Sequence, residues 1–183
     1  MTSASTGGAA QARRAARKMA SAVTVLTVAH GEAAHGTTVS AVVTVSRNPL
    51  LVGACLHHGS FFTGLARDQG RFMVNVLSGR QGVIADWFAD PLRPVGYAQF
   101  SPLDWTTDEL TGAPVLEHCL ASFACLLMGC YPIGDHDLIL GEVVAGTAGM
   151  GSPLLALDGQ LWAGDIGNAA ARGRNRQTAT SLD

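Results

Sequence analysis

The segment Tyr131–Gly146, YPIGDHDLILGEVVAG, sets Gly134, Asp135, His136 and Asp137 together ahead of an apolar run. An imidazole between two carboxylates can ligate a metal or face a bound cofactor, and the same residues also make an ordinary tight turn. His57 and His58 extend the metal option, because two histidines and a carboxylate can hold non-haem iron. Two features count against metal. Adjacent histidines in a strand point to opposite faces, and no H-x-x-x-H or H-x-D pair aims two ligands at one point.

A second stretch, HGTTVSAVVTVSRNP at residues 35–49, carries Gly36, Thr37, Thr38, Val39, Ser40 and Ser46. Small and hydroxyl side chains there let main-chain amides approach a flat heterocycle, although a Thr/Ser-rich strand needs no ligand. A third, HHGSFFTGL at residues 57–65, joins a strand end to a helix start with Ser60 at the N-cap position. Free amides and the macrodipole at such a start favour an anion such as phosphate. There is no G-x-G-x-x-G, no G-x-x-x-x-G-K-[ST] and no G-x-S-x-G, so dinucleotide-fingerprint, P-loop and serine-hydrolase chemistry are not indicated.

The elements that would position these residues are mostly strands. Residues 22–29 are β-branched and run into a hairpin-like loop, HGEAAHG, at 30–36. Residues 37–46 alternate as one strand until Asn48–Pro49 breaks it. Residues 50–56 are a continuous apolar run, which predicts a strand buried on both faces. A helix is predicted over 60–69 with Phe61, Leu65 and, as an option, Phe62 on one face, and a second over 78–90, ended by Pro91. Residues 71–77, 121–133 and 137–149 read as strands, 91–113 as a loop-rich excursion, and 153–164 as the closing segment. Too little helix separates the strands for parallel crossovers, so the sheet should be antiparallel and closed or nearly closed into a barrel.

In this order the pieces resemble the short-chain flavin reductases, the small components of two-component flavin-dependent monooxygenases. The resemblance rests on His35–Gly36–Thr37–Thr38–Val39–Ser40–Ala41 through Val45–Ser46–Arg47–Asn48–Pro49–Leu50, and on Cys55–Leu56–His57–His58–Gly59–Ser60. It continues through Gly70–Arg71–Phe72–Met73–Val74–Asn75–Val76–Leu77 and ends on Gly134–Asp135–His136 with Gly141–Glu142–Val143. It implies a mainly β fold, the antiparallel split β-barrel that binds FMN, with a few short helices. It covers a domain over residues 13–162; the ends, 1–12 and 163–183, are small, polar and without periodicity, and are expected to be mobile.

Roles follow from the same resemblance. Gly36, Thr37, Thr38, Val39, Ser40 and Ser46 would form the flavin strand and contact the ring largely through backbone. Cys55, Leu56 and His57 would line the pyrimidine edge and ribityl chain, and Ser60 and Phe61 would meet the phosphate. Phe72 and Asn75 would support the pocket. Gly134 and Asp135 would aim His136, the catalytic candidate, over the open face of the ring near the nicotinamide. The implied activity is transfer of hydride from NADH or NADPH to FMN or FAD by a homodimer that supplies a separate monooxygenase. A flavin-binding relative acting on its own biosynthetic substrate, or a non-redox binding protein, is the alternative.

Three departures stand out: the family's Asn–Arg pair is His57–His58, its second proline is Leu50, and the glycine after its opening helix is Ala22. Without the arginine, the choice between FMN and FAD stays open.

Bulk properties agree with a barrel rather than a helix bundle. The chain has 183 residues, 48% hydrophobic and 14% charged, with 22 glycines. A formal charge of −2 gives no argument for nucleic acid or an anionic membrane surface, and neither is expected as a partner. The four cysteines form no C-x-x-C pair and sit in apolar stretches, as expected of free thiols in the cytoplasm. Residues 1–18 are basic and free of acids; they suit a transit peptide or a short amphipathic helix over 11–23.

Overall fold

The computed structural model describes residues 6–164; the expected C-terminal tail from 165 onward and residues 1–5 lie outside them. Helix α1 spans Thr6–Ala16, starting earlier than the helix expected over 11–23, and the strand β1, Ser21–Ala22, follows. The barrel is built from β2 (Thr24–His30), β3 (Ala33–Val39), β4 (Val42–Arg47), β5 (Leu50–His57), β6 (Arg71–Val76), β9 (Ala121–Ile133) and β10 (His136–Ala148). These run β3-β2-β6-β9-β10-β5-β4, every neighbour antiparallel. The sheet's two edges, β3 and β4, are consecutive in the chain and joined only by Ser40–Ala41. No ladder pairs them, so the barrel is split there.

The predicted single strand over 37–46 is therefore two strands. The hairpin turn is tighter than expected, at Gly31–Glu32 with Gly31 at φ 59°, so Ala33–Gly36 belong to β3 rather than to a loop. Doubly buried character also moves. Strand β2 is buried along both faces up to Ala29. By contrast β5 keeps Leu51 and Cys55 only half-buried, and Cys55 borders a cleft.

Alternation along β2 divides the core. Leu26 and Val28 face the barrel interior with Val52, Ala54, Phe72 and Ile139. Val25 and Ala29 face an outer layer with Leu77, Phe88 and Phe100. Each fully buried side chain of this kind contributes about 1.5–3 kcal/mol. Helix α2 (Phe61–Gln69) covers the interior cluster with Phe62, Leu65 and Ala66. Of the residues expected on its covered face, Phe62 and Leu65 are buried, whereas Phe61 is 63% exposed. Helix α3 (Gly82–Ala89) and a 3-10 helix, Gly96–Phe100, form the outer layer over β2 and β3. The excursion read as loop also holds a hairpin of β7 (Trp105–Thr107) and β8 (Pro114–Leu116). A small sheet of β1, β11 (Leu155–Leu157) and β12 (Gln160–Trp162) completes the fold.

Candidate active site

At one end of the split lies a cleft of about 280 Å³, lined by Thr37, Thr38, Val39, Ser40, Ala41, Cys55, Leu56, His57, Ser60 and His136. Strand pairing explains its position. The β3–β2 ladder ends at Val39 and the β4–β5 ladder starts at Val42, so Ser40 and Ala41 lie outside both. The wall at this point is main chain with small side chains. Thr38 turns its hydroxyl away, donating to the Ala85 carbonyl at 2.6 Å, so its backbone is what it offers the cleft. The Cys55 N–H donates to the Ala41 carbonyl at 3.0 Å, which ties the 40–41 segment to β5 and takes that one amide out of the cleft.

The opposite wall is imidazole. His57 pairs with His136 across β5 and β10, and the two rings stack with centroids 4.4 Å apart and 29° between their planes. Gly134, at φ 65°, makes the turn that brings His136 back beside His57; a side chain there would be strained. His136 donates from Nδ1 to Asp135 Oδ1 at 2.7 Å, which leaves Nε2 as its free nitrogen. This hydrogen bond, with the imidazole's charge behind it, holds the exposed Asp135 carboxyl below its usual range.

His58 does not join them. It turns to the opposite face, as strand alternation requires, and donates from Nδ1 to the buried Asp137 carboxylate at 3.0 Å. Among the described residues no group of three or more His, Cys, Asp or Glu could hold a metal ion.

Several expected residues stand outside the cleft. Ser46 is at the far end of β4, paired with Leu51 beside a register shift. Phe61 projects from α2 with its ring edge-on to His35 at 5.2 Å. Phe72 fills the barrel interior, edge-on to Phe62 at 6.0 Å. Asn75 is fully buried, donating to the Val25 carbonyl and Thr27 Oγ1 and accepting from the Leu116 N–H, so it ties strands together. Ser60 lines the cleft and occupies the N-cap position of α2, but its side chain makes no capping bond. Gly36 sits just before the wall, with the Phe88 ring standing where its Cβ would be.

What sequence reading missed is the support behind Gly36. Gln99, fully buried, donates to the Ala34 carbonyl at 2.9 Å and accepts from the Gly36 N–H at 2.9 Å. Arg93 donates to the Gly36 carbonyl and, at 3.3 Å, to His35 Nε2. Burial, then the nearby Arg93 charge, lowers His35 to about 4, so its ring is a neutral acceptor. The only signal was the apolar YAQF, residues 97–100, in an otherwise loop-like stretch.

Residues 16–163 match the family described as flavin reductase like domain. The chain belongs to that family. Among its relatives is an NADPH-flavin oxidoreductase of Streptomyces viridifaciens, 41% identical over 91% of this chain and 87% of the relative. Another is the reductase component of a 4-nitrophenol 4-monooxygenase/4-nitrocatechol 2-monooxygenase from Rhodococcus opacus, 31% identical over 79% and 75%. The NADH:FAD oxidoreductase SgcE6 of Streptomyces globisporus, solved with NAD and FAD fragments, superposes with TM-score 0.79 at 28% identity, covering 93% of this chain and 99% of that one. The family's antiparallel split barrel is the fold of this chain.

Proposed function

We propose that this protein is an NAD(P)H-dependent flavin reductase working in the cleft between Ser40–Ala41 and His136, on FMN or FAD. The observation that carries the reading is the cleft itself. An open stretch of main chain flanked by small side chains faces an imidazole held on two sides. Such walls fit a flat heterocycle laid along the backbone. A volume of about 280 Å³ takes part of a flavin, not a whole dinucleotide.

Bound flavin supplies the two-electron acceptor for a nicotinamide hydride. The protein's own contribution is placement. Main-chain groups at 40–41 offer dipoles to a ring edge where negative charge grows, and they need no reorganisation to do so. His136, fixed by Asp135 and His57, bounds the side from which a nicotinamide would approach. No general base is required of the chain for hydride transfer between the two cofactors.

A homodimer fits the same surface. Val43 and Val45 on β4 lie over Gly53, beside the Leu138 side chain, on the face that carries Cys55 and His57. Both valines are more than half exposed. A second copy covering this edge strand would extend the wall of a shallow cleft. The catalytic unit spans 13–162, and reduced flavin passes to a separate flavin-dependent monooxygenase, as the relative from Rhodococcus opacus suggests. Four free cysteines suit the cytoplasm. No helix among the described residues is long and apolar enough to cross a membrane.

The test is direct. The purified protein is mixed with NADH or NADPH and with FMN or FAD, and the nicotinamide absorbance is followed. Oxidation that depends on added or bound flavin is expected. Its absence in all four combinations rejects the reading.

A further inference from the structure

We propose that Gln99 and Arg93 are positioning residues for the flavin, holding the free edge of β3 so that Thr37–Ala41 present their main chain at the right place. This rests on the cleft being the flavin site. Strand β3 is the first in its sheet; β2 pairs with one side of it, and no strand among the described residues pairs with the other. An edge strand with unpaired groups should twist or fray. In this barrel the groups of Ala34 and Gly36 that face away from β2 are taken by side chains instead.

The Gln99 amide behaves like one peptide unit of a missing strand. Its Nε2 donates to the Ala34 carbonyl and its Oε1 accepts from the Gly36 N–H, each at 2.9 Å. The same Nε2 donates to the Gly96 carbonyl at 2.7 Å, which fixes the amide's orientation. The Trp87 indole donates to the Gln99 carbonyl at 2.9 Å, so helix α3 locks the 3-10 turn as well.

Arg93 adds the next contact along the edge, donating to the Gly36 carbonyl, and its guanidinium lies 5.8 Å from the centre of the Phe88 ring. Thr38 completes the row through the Ala85 carbonyl. Three alternate positions, 34, 36 and 38, are thus held from one side by residues 85–99. Immediately after them the chain leaves its ladder at Ser40 to form the cleft wall. A shift of the edge would therefore displace the wall without touching His136, which belongs to the opposite side of the barrel opening.

A selective loss is expected when the clamp is weakened. In the full-length chain, Arg93→Met removes the contacts of a half-buried side chain without opening the core. FMN affinity, read by flavin fluorescence quenching, should fall about tenfold, because hydrogen bonds from a charged group are lost. The KM for nicotinamide should stay within about twofold, and Arg93→Lys should recover part of the FMN affinity. Gln99→Leu should weaken FMN binding further, with thermal unfolding monitored to show that the protein is folded.

Cys55→Trp, which fills the cleft, separates the two readings. If Cys55→Trp abolishes FMN binding while folded Arg93→Met binds FMN as the wild type does, the clamp is wrong and the site stands. Equal losses for flavin and nicotinamide in Arg93→Met also overturn the clamp. If Cys55→Trp leaves FMN binding intact, the ring is elsewhere, and both readings fall.

Discussion

His57 and His136 sit directly across from each other on β5 and β10, their imidazoles stacked at 4.4 Å, and only His136 has a carboxylate on its Nδ1. The stack and the 2.7 Å bond to Asp135 together fix both the plane and the rotation of the His136 ring. His136→Ala should slow nicotinamide oxidation by about 10- to 100-fold, the scale of a lost alignment, while changing flavin affinity little. His57→Ala, which leaves Asp135 in place, should cost only several-fold. Rapid-mixing measurement of the reductive half-reaction beside flavin titration checks this. A larger effect on flavin binding than on rate would take His136 away from the nicotinamide side of the cleft.

Gly141 is the second glycine of the motif that begins at Gly134–Asp135–His136 and Phe72 belongs to the G-R-F stretch, and the two motifs meet inside the barrel. A Cβ on Gly141 would lie 2.6 Å from Phe72 Cζ and 3.1 Å from Cys125 Cβ, and both neighbours are fully buried. Overpacking of this kind costs about 1–3 kcal/mol. Gly141→Ala should therefore lower the unfolding midpoint, and Phe72→Leu in the same chain should recover part of the loss. Denaturant melts of the two single variants and the double variant measure the coupling. Strict additivity would show that the ring does not require the glycine.

This meeting also explains what was readable from the residues. Strands β6, β9 and β10 were legible because alternation and length left no competing reading, and the motif order placed Thr37–Ser40, Cys55–His57, Ser60 and His136 at one site. Phe72 and Asn75 lie in the same motifs yet serve the core, since a motif records what the fold needs as well as what the ligand needs. The break at Ser40–Ala41 left no trace: both residues are compatible with a strand, and only the ladders' geometry ends them there. Phe61 stands outside the face it was expected to share with Phe62 and Leu65, because the phase of α2 is set by what it covers, not by its own sequence. Gln99 was invisible for a related reason. A glutamine in a loop becomes structural only when an unpaired strand edge is brought against it.

His35 makes stability depend on pH in a definite direction. In the folded protein it takes a proton only near pH 4, whereas its ordinary value is 6.5, burial being the main cause and the Arg93 charge the second. Between those values the unfolded chain binds the proton and the folded chain does not, so acidification through this window destabilises the fold. Urea midpoints should fall between about pH 7 and pH 5, and His35→Asn should flatten part of that fall. An identical slope in the variant would mean that other groups carry the dependence.

The cysteines offer a last and independent check on the cleft. Burial pushes Cys125 up to about 12 and Cys119 up to about 11, so both are poor in thiolate and should label slowly with a maleimide. Cys55 is half-buried and lines the cleft, while Cys130, also half-buried, lies on β9 outside it. Added FMN should therefore slow labelling at Cys55 and leave Cys130 unchanged, as peptide mapping by mass spectrometry would show. Protein already labelled at Cys55 should fail to quench flavin fluorescence, since the adduct occupies the volume the ring would take. Labelled protein that still binds FMN at wild-type affinity would place the ring away from the β5 wall, and the assignment of Cys55 and His57 to the flavin site would be wrong.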